Sequence, residues 1–132
     1  MDALKTDLCG LLGVMLPIVR APIGSASGPA LAAAFSNAGG LGMLALSWTA
    51  EDSVRRVICE TRKLTDQPFS VNLVLEWDQR ERLAACLEEG ARIVSFFWGD
   101  PAPYAKTVHE AGWLVLHTVG SASERVAAEM NQ

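Results

Sequence analysis

The sequence has few of the residues on which many catalytic and metal sites depend. It contains two histidines, one tyrosine and three cysteines in 132 residues, and no Cys-x-x-Cys spacing occurs. Cys9, Cys59 and Cys86 are odd in number and far apart, which argues against a disulfide framework or a zinc site built on cysteine pairs. We therefore expect reduced thiols in a cytoplasmic protein.

The sequence also lacks a basic surplus and a long apolar run. The net charge is −4 and the basic residues are scattered, which argues against nucleic-acid binding. No uninterrupted apolar segment is long enough to cross a bilayer, so no membrane association is expected. The segment before Pro17 has a single Lys and an early Asp, and it is interpreted as a lead-in to the first strand, not as a signal peptide.

The most informative segment is PIVRAPIGSASGPALAAAFSNAGGLGML, residues 17–44. A short apolar run stops at Ala21-Pro22-Ile23-Gly24, and a small polar loop follows. A helix rich in small residues comes next and ends in a Gly-rich turn before another apolar run. This order predicts a strand, loop, helix and strand, with a loop open enough for a flat ligand to lie against its backbone.

The same pattern recurs along the chain and predicts five strand-plus-helix units. Strands are predicted to begin near Pro17, Leu41, Phe69, Ile93 and Trp113. Helix starts are predicted at Pro29, at Thr49 as an N-cap, at Asp78 with Glu81, at Asp100-Pro101, and at Ser121 with Glu124. The first helix is predicted to bury Leu31, Ala34, Phe35 and Ala38, and the last is predicted to carry Val126, Ala127 and Met130.

Strict alternation of strands and helices predicts a single α/β domain with a parallel sheet. Two architectures are built from such units. A five-stranded doubly wound sheet would be complete at about this length, whereas a (β/α)₈ TIM barrel typically needs about 250 residues. In the second case residues 1–132 would supply the first five of eight units, a partial barrel forming the N-terminal portion of one domain.

Ligands of parallel α/β folds bind at the carboxyl ends of the strands, so these positions decide between the two architectures. A receiver domain needs acidic residues after its first strand, but this strand ends in Ala-Pro-Ile-Gly. A flavodoxin needs a hydroxyl-rich phosphate loop that opens directly into a helix. Residues 24–28 approximate that loop only loosely, and Pro29 removes a donor. The strand ends therefore favour the barrel.

The chain resembles the nitronate monooxygenase (2-nitropropane dioxygenase) family at these same positions. The resemblance rests on LPIVRAPIGSASGPALAAAFSNAGGLGML, LTDQPFSVNLVL, IVSFFWGDP and AGWLVLHTVGSASE, which together cover nearly the whole chain. The Asn-Ala-Gly-Gly-Leu-Gly and Pro-Phe-x-Val-Asn-Leu motifs are the most specific parts. The resemblance implies a TIM barrel that binds flavin mononucleotide (FMN) and is related to the flavin-dependent enoyl-ACP reductases.

The resemblance also implies cofactor-binding residues. Pro22, Ile23 and Gly24 match the place where the family's first strand lies against the flavin, and Asn72 matches a third-strand asparagine that contacts it. Thr118 matches a place where some relatives carry a lysine near the flavin. Independently, alternation in the run 69–75 puts Ser70, Asn72 and Val74 on one face of the strand. A buried asparagine that merely satisfies nearby backbone is the alternative.

Two histidines and three tryptophans complete the candidates. Alternation points His117 and Thr118 to opposite faces of their strand, so His117 is more readily a structural residue than an acid or base. His109 falls in the last turn of a helix. The three tryptophans that follow strands are either walls of a substrate pocket or aromatic plugs over the barrel mouth: Trp48, Trp77 and Trp98.

The family's catalytic histidine motif, Gly-x-Glu-Ala-Gly-Gly-His, and its glycine-rich phosphate turns do not occur up to Gln132, so no catalytic residue is assigned. The resemblance implies oxidation of an alkyl nitronate or nitroalkane by O₂, with little turnover by this chain alone. Flavin-dependent enoyl-ACP or quinone reduction and a non-catalytic, self-associating half-barrel are the alternatives. We expect either a longer protein or a homo-oligomer that covers the open strand edges.

Overall fold

A computed structural model describes residues 4–129 of the chain. The α-helices are α1 (Asp7–Leu12), α2 (Pro29–Asn37), α3 (Glu51–Leu64), α4 (Arg80–Glu88), α5 (Ala102–Glu110) and α6 (Ala122–Glu129). The β-strands are β1 (Gly42–Ala45), β2 (Phe69–Val74), β3 (Ile93–Phe97) and β4 (Leu114–Thr118). Met130 lies outside the described residues.

The strands form one parallel sheet in the order β1-β2-β3-β4, so neighbours in the sequence are neighbours in space. Ala45 pairs with Asn72, Asn72 with Ser95, and Phe97 with Thr118. The segment before β1 joins at its outer side through a single bridge between Val19 and Leu41. A doubly wound sheet would place its opening strand in the middle, so this order supports the barrel-type prediction.

The first predicted strand is at the expected place but is much shorter than the sequence predicted. Leu41 donates a backbone hydrogen bond to the carbonyl of Ile18, and Arg20 donates one to the carbonyl of Leu41. The pairing ends there because Pro22 has no N–H to continue a ladder. The chain instead turns through a short 3₁₀ segment at Gly24–Ala26.

The main core lies between the sheet and the helices. Val71, Leu73, Val94 and Phe96 point from the strands into this layer, together with side chains from α2 to α5. Because strand residues alternate, Asn72 and Ser95 must lie on the opposite face of the sheet, called here the inner face. The alternation predicted for residues 69–75 is confirmed.

A second, smaller cluster covers the start of the inner face. Leu12 of α1 packs with Leu41 and Ile93, and Leu114 and Leu116 join from β4. The sequence analysis assigned no helix to this lead-in, and six residues of it form α1. The helix therefore closes the end of the sheet opposite the strand ends at which ligands bind. Among residues 4–129, none of the helices combines the length and apolarity needed to span a membrane.

Most of the predicted helix starts agree with the structure. Glu124 donates its backbone N–H to Ser121 Oγ, as in a capping box, and its Oε2 accepts the N–H of Gly120, one residue before the usual donor. The carboxylates of Asp78 and Asp100 each accept the N–H of the residue two positions later. Thr49 was wrongly placed as an N-cap, because the chain makes a turn there and α3 begins after Ala50 without a side-chain cap.

The predicted buried face of α2 was wrong. Leu31, Ala34 and Ala38 are exposed and Phe35 is half-buried, whereas Ala32, Ala33 and Ser36 are buried. The reason is the close approach of α2 to β1. A Cβ atom on Gly42 would lie 2.0 Å from the carbonyl oxygen of Ala32, and Ser36 Oγ accepts the Gly42 N–H at 3.0 Å. Only small side chains fit between these two elements.

Candidate functional site

The four strands end together at one edge of the sheet, called here the carboxyl edge. Ala45, Val74, Phe97 and Thr118 are the last residues of β1 to β4. The loops that follow each strand, and the loop before α2, meet at this edge. In parallel α/β folds this is the edge at which ligands bind. All sequence-predicted site residues lie on the loop before α2 or on strands that end at this edge.

The loop before α2 is exposed along most of its length, and Ile23 is its largest exposed side chain. Pro22, Ile23 and Gly24 are exposed, and Ile23 is 60% accessible. Gly24 has φ +42°, a left-handed conformation that favours glycine. Nothing lies within 4 Å of the position a Cβ atom would take on Gly24 or Gly28. The open loop surface predicted from the sequence is therefore present.

Arg20 and Ser27 hold this loop against β1, and sequence reasoning missed both. Arg20 Nη1 donates to Ser27 Oγ at 2.9 Å, and Arg20 Nη2 donates to the carbonyl of Met43. The same Ser27 Oγ accepts the backbone N–H of Ile23 at 2.5 Å. Burial lowers the pKa of Arg20 from its usual value. The signal in the sequence was a lone charge inside the run PIVRAPIG.

Asn72 lies on the inner face, in the middle of β2, and is only 3% exposed. Its Nδ2 donates to Ser95 Oγ at 3.1 Å and to the carbonyl of Ser95 at 3.3 Å. The amide nitrogen is thus satisfied within the sheet, as in the alternative considered from the sequence. Its Oδ1 has no recorded hydrogen bond among residues 4–129, and an amide oxygen accepts up to two.

Thr118 lies on the same face as Asn72 but two strands away and nearer the carboxyl edge. It is exposed and pairs with Phe97 in the sheet. Strands are spaced about 4.8 Å apart, so β2 and β4 are separated by roughly 10 Å. Asn72 and Thr118 therefore border opposite sides of the area beside β3, and they do not touch each other.

His117 points away from this area. Val115 belongs to the helix-side core, so alternation puts His117 on the helix side as well. It lies between α5 and α6, in a small cleft that His109 and Arg125 also line. Its Nδ1 is buried without a hydrogen-bond partner among the described residues. The prediction that His117 and Thr118 face opposite ways is confirmed.

The three tryptophans predicted on the ligand side all lie just beyond strands at the carboxyl edge. Trp48 and Trp77 contact each other edge to face, with ring centroids 5.6 Å apart. Trp98 stacks on Phe97 with centroids 4.7 Å apart. All three are exposed. The carboxyl edge therefore combines an open backbone loop, a buried amide and exposed aromatic rings.

These features define the class of the protein. Its parallel strands follow sequence order, its helices α2 to α5 cover one face, and its candidate site lies at the carboxyl edge, as in β/α barrels. The sequence pattern of the nitronate monooxygenase family matches residues 5–85. The chain belongs to this family.

Curated relatives agree with this assignment. A nitronate monooxygenase of Paraburkholderia phytofirmans is 38% identical over 97% of this chain and 40% of its own length. An indene-carboxyl-CoA dehydrogenase of Rhodococcus jostii is 34% identical over 92% of this chain and 35% of its own length. The chain thus spans well under half the length of these relatives.

Solved structures place the fold among TIM barrels. FabK from Thermotoga maritima superimposes with a TM-score of 0.93 at 34% identity, covering 96% of this chain and 41% of FabK. A nitroalkane oxidase from Streptomyces ansochromogenes gives a TM-score of 0.85 at 28% identity, covering 96% of this chain and 46% of the oxidase. The described chain therefore has the α/β fold of part of a barrel.

Proposed function

We propose that the chain is the N-terminal portion of a single FMN-dependent (β/α)₈ domain that oxidises alkyl nitronates or nitroalkanes with O₂. The observation that carries this proposal is the family match over residues 5–85, which includes the loop before α2 and Asn72. We expect the protein to work in the cytoplasm, since its three cysteines are all free thiols.

The residues at the carboxyl edge suit a flat, mainly apolar ring system. Pro22, Ile23 and Gly24 are exposed, and the space beside Gly24 is open, so a flat ring can lie against the backbone there. Asn72 Oδ1 is the acceptor for an N–H at the edge of the ring, because its Nδ2 is already bonded to Ser95. The Thr118 hydroxyl offers a donor or acceptor from the other side of the area beside β3.

When bound, FMN supplies the redox chemistry that the side chains of this chain lack. The chain's own residues bind and orient: Arg20 and Ser27 tie the loop before α2 to β1 through hydrogen bonds and so fix the direction of its backbone. Neither His109 nor His117 faces the inner side of the sheet. No proton-abstracting base is therefore assigned within this chain, and we expect little turnover by these 132 residues alone.

A second candidate activity has a specific observation in its favour. FabK superimposes with the higher of the two TM-scores, and the Rhodococcus relative is named as a CoA-thioester dehydrogenase. An FMN-dependent enoyl-ACP or quinone reductase would use the same carboxyl edge. A self-associating half-barrel without catalytic activity would not require FMN.

FMN binding by the purified chain tests the proposal. We expect FMN fluorescence to be quenched on titration, and Asn72→Ala to weaken binding about tenfold through loss of one hydrogen bond. Asn37→Ala is the matched control, because Asn37 ends α2 at the opposite end of the sheet. Tenfold weakening by both variants, or an absence of any FMN uptake by a folded chain, contradicts the proposal for these residues.

A further inference from the structure

A crevice of about 530 Å³ opens between the ends of β3 and β4 and helix α6. It borders the proposed cofactor area through Thr118 but extends away from it. Among the side chains that line it are Phe97, Trp98, Asp100, His117, Thr118 and Glu124. Its walls combine aromatic rings with carboxylates, and no Lys or Arg of the described chain lines it.

Trp98 is held in this crevice in an unfavourable backbone conformation. It is the sole non-glycine residue of segment 4–129 with a positive φ, at +58°. Bulky residues rarely adopt this conformation, and when they do they cluster at functional sites. If this position only had to form a turn, Gly or Asn would adopt the positive φ at a lower energetic cost than Trp. The indole is nevertheless 55% exposed, so burial of the ring does not explain its presence.

The neighbouring residues show how this conformation is imposed. Gly99 also has a positive φ, +62°, and a Cβ atom on it would lie 2.7 Å from both Cβ and the carbonyl oxygen of Leu75. The backbone after β3 is therefore pressed against the end of β2. The turn directs the Trp98 ring onto Phe97, where the two rings stack 29° from parallel. The stacked pair forms an aromatic wall of the crevice.

The charged side chains that line the crevice include two carboxylates, which repel an anion. Asp100 Oδ1 already accepts the Ala102 N–H at 3.0 Å, and Glu124 Oε2 accepts the Gly120 N–H at 2.7 Å. Both carboxylates belong to exposed residues, and neither Lys nor Arg lines the crevice to pair with them. A ligand that carries phosphates would meet two like charges here, whereas an uncharged hydrocarbon would meet aromatic rings.

We propose that Trp98 is a specificity-determining residue whose crevice takes the uncharged, apolar part of the substrate, and that Asp100 and Glu124 disfavour substrates on a polyphosphate-bearing carrier. This rests on the proposed function, because Thr118 joins the crevice to the proposed cofactor area. Such a crevice favours free nitroalkanes with a hydrocarbon chain over CoA thioesters.

Ligand binding to the crevice can be followed by ¹⁵N NMR of the unmodified chain, because each of its four tryptophans gives one indole N–H signal. The probes are 1-nitroalkanes of increasing length, butyryl-N-acetylcysteamine as a neutral thioester, and butyryl-CoA as its anionic counterpart. We expect the neutral probes to shift the Trp98 signal and not that of Trp113, which lines a cleft at the opposite end of the sheet. Affinity should rise up to about fourfold per added CH₂. Butyryl-CoA should bind at least tenfold more weakly than the neutral thioester at low salt, and added salt should narrow the gap.

Matched variants separate a ligand role from a structural one. Trp98→Ala and Trp98→Gly should both lose the chain-length dependence, while Leu64→Ala, which shortens an exposed apolar side chain at the opposite end of the sheet, should keep it. Trp98→Gly should melt at a higher temperature than Trp98→Ala, because glycine adopts the positive φ without strain. Asp100→Asn with Glu124→Gln keeps both capping acceptors and should raise butyryl-CoA affinity alone.

Two results would overturn the inference: unchanged nitroalkane affinity in both Trp98 variants, or equal binding of butyryl-CoA and the neutral thioester. FMN quenching in the same samples distinguishes this failure from failure of the proposed function. FMN uptake with an unresponsive Trp98 signal refutes the crevice alone. A responsive Trp98 signal without FMN uptake refutes the cofactor proposal alone.

Discussion

At the scale of single residues, burial decides how the chain's thiols behave. Cys86 is a residue of α4 that faces the main core, and burial raises the pKa of its thiol to about 12. Cys59 is exposed on α3, where its Sγ donates to Glu89, and that hydrogen bond raises its pKa above the usual value. The sequence predicted reduced thiols, and the described chain has all three free. The sequence alone did not indicate which of the three cysteines are buried and which is exposed.

The raised pKa of Cys86 makes stability fall at alkaline pH. The folded state keeps the thiol proton up to about pH 12, whereas the unfolded chain loses it near pH 9.0, so the folded state binds more protons between these values. The contribution to stability is complete below pH 9 and is lost as pH rises toward 12. We expect the free energy of unfolding to fall on the order of 1 kcal/mol per pH unit in this window.

Urea unfolding at several pH values measures this slope. Cys86→Ala is the comparison, because it removes this titration while other alkaline groups remain. A variant whose stability falls as steeply as that of the natural chain between pH 9 and 12 would show that Cys86 does not carry the effect.

At the scale of elements, the contact between α2 and β1 shows which features of a helix can be predicted from its sequence and which cannot. The Pro29 start and the Gly-rich end of α2 were predicted correctly from local chemistry. The buried face of α2 was predicted incorrectly, because the prediction followed the most hydrophobic residues, Leu31 and Phe35. The controlling residue is Gly42 on β1, which brings the two backbones so close that Ala32 and Ser36 must face it.

Substitution of Gly42 tests this packing. We expect Gly42→Ala to destabilise the chain by about 3 kcal/mol, the upper end of the usual overpacking range, because the new Cβ would collide with the backbone of Ala32 and neither element can move without disturbing the core. Gly10→Ala is the control, since Gly10 is within α1 and nothing lies within 4 Å of its added Cβ. It should raise stability by up to about 1 kcal/mol.

Denaturant unfolding with a circular-dichroism signal compares the two variants. If Gly42→Ala unfolds at the same denaturant concentration as the natural chain, the close approach of α2 to β1 does not exist in solution.

At the scale of the whole molecule, β1 and β4 are the outer strands of the described sheet. β4 is only half-buried along most of its length, whereas β3 is almost fully buried. Leu114 and Leu116 on its inner face belong to the small cluster around α1. An apolar parallel strand with an open edge favours association with another chain.

We therefore expect this chain to self-associate reversibly through the β4 edge. Leu116→Lys should shift sedimentation toward the monomer, because a charge on the inner face of an edge strand disfavours pairing. Leu64→Lys is the control, as Leu64 is already 52% exposed at the end of α3. Monomeric behaviour of the unmodified chain across the micromolar range would contradict this prediction.

The amino-acid sequence by itself determined the features that depend on neighbours along the chain. Alternation in residues 69–75 separates Asn72 from Val71 and Leu73, and alternation in β4 separates Thr118 from His117. Helix starts at Ser121 and Asp100 also follow from local hydrogen bonding. These are short-range effects of strand geometry and backbone capping, so a single sequence carries them.

Only the tertiary structure decided the features that depend on residues far apart in the chain. Arg20 reaches Met43 across 23 positions, and Gly99 packs on Leu75 across the sheet. Such contacts leave no periodic signal, because each depends on how two elements happen to meet. The tethered loop before α2 and the turn that exposes Trp98 both arise in this way, and both border the site at which we expect cofactor and substrate to bind.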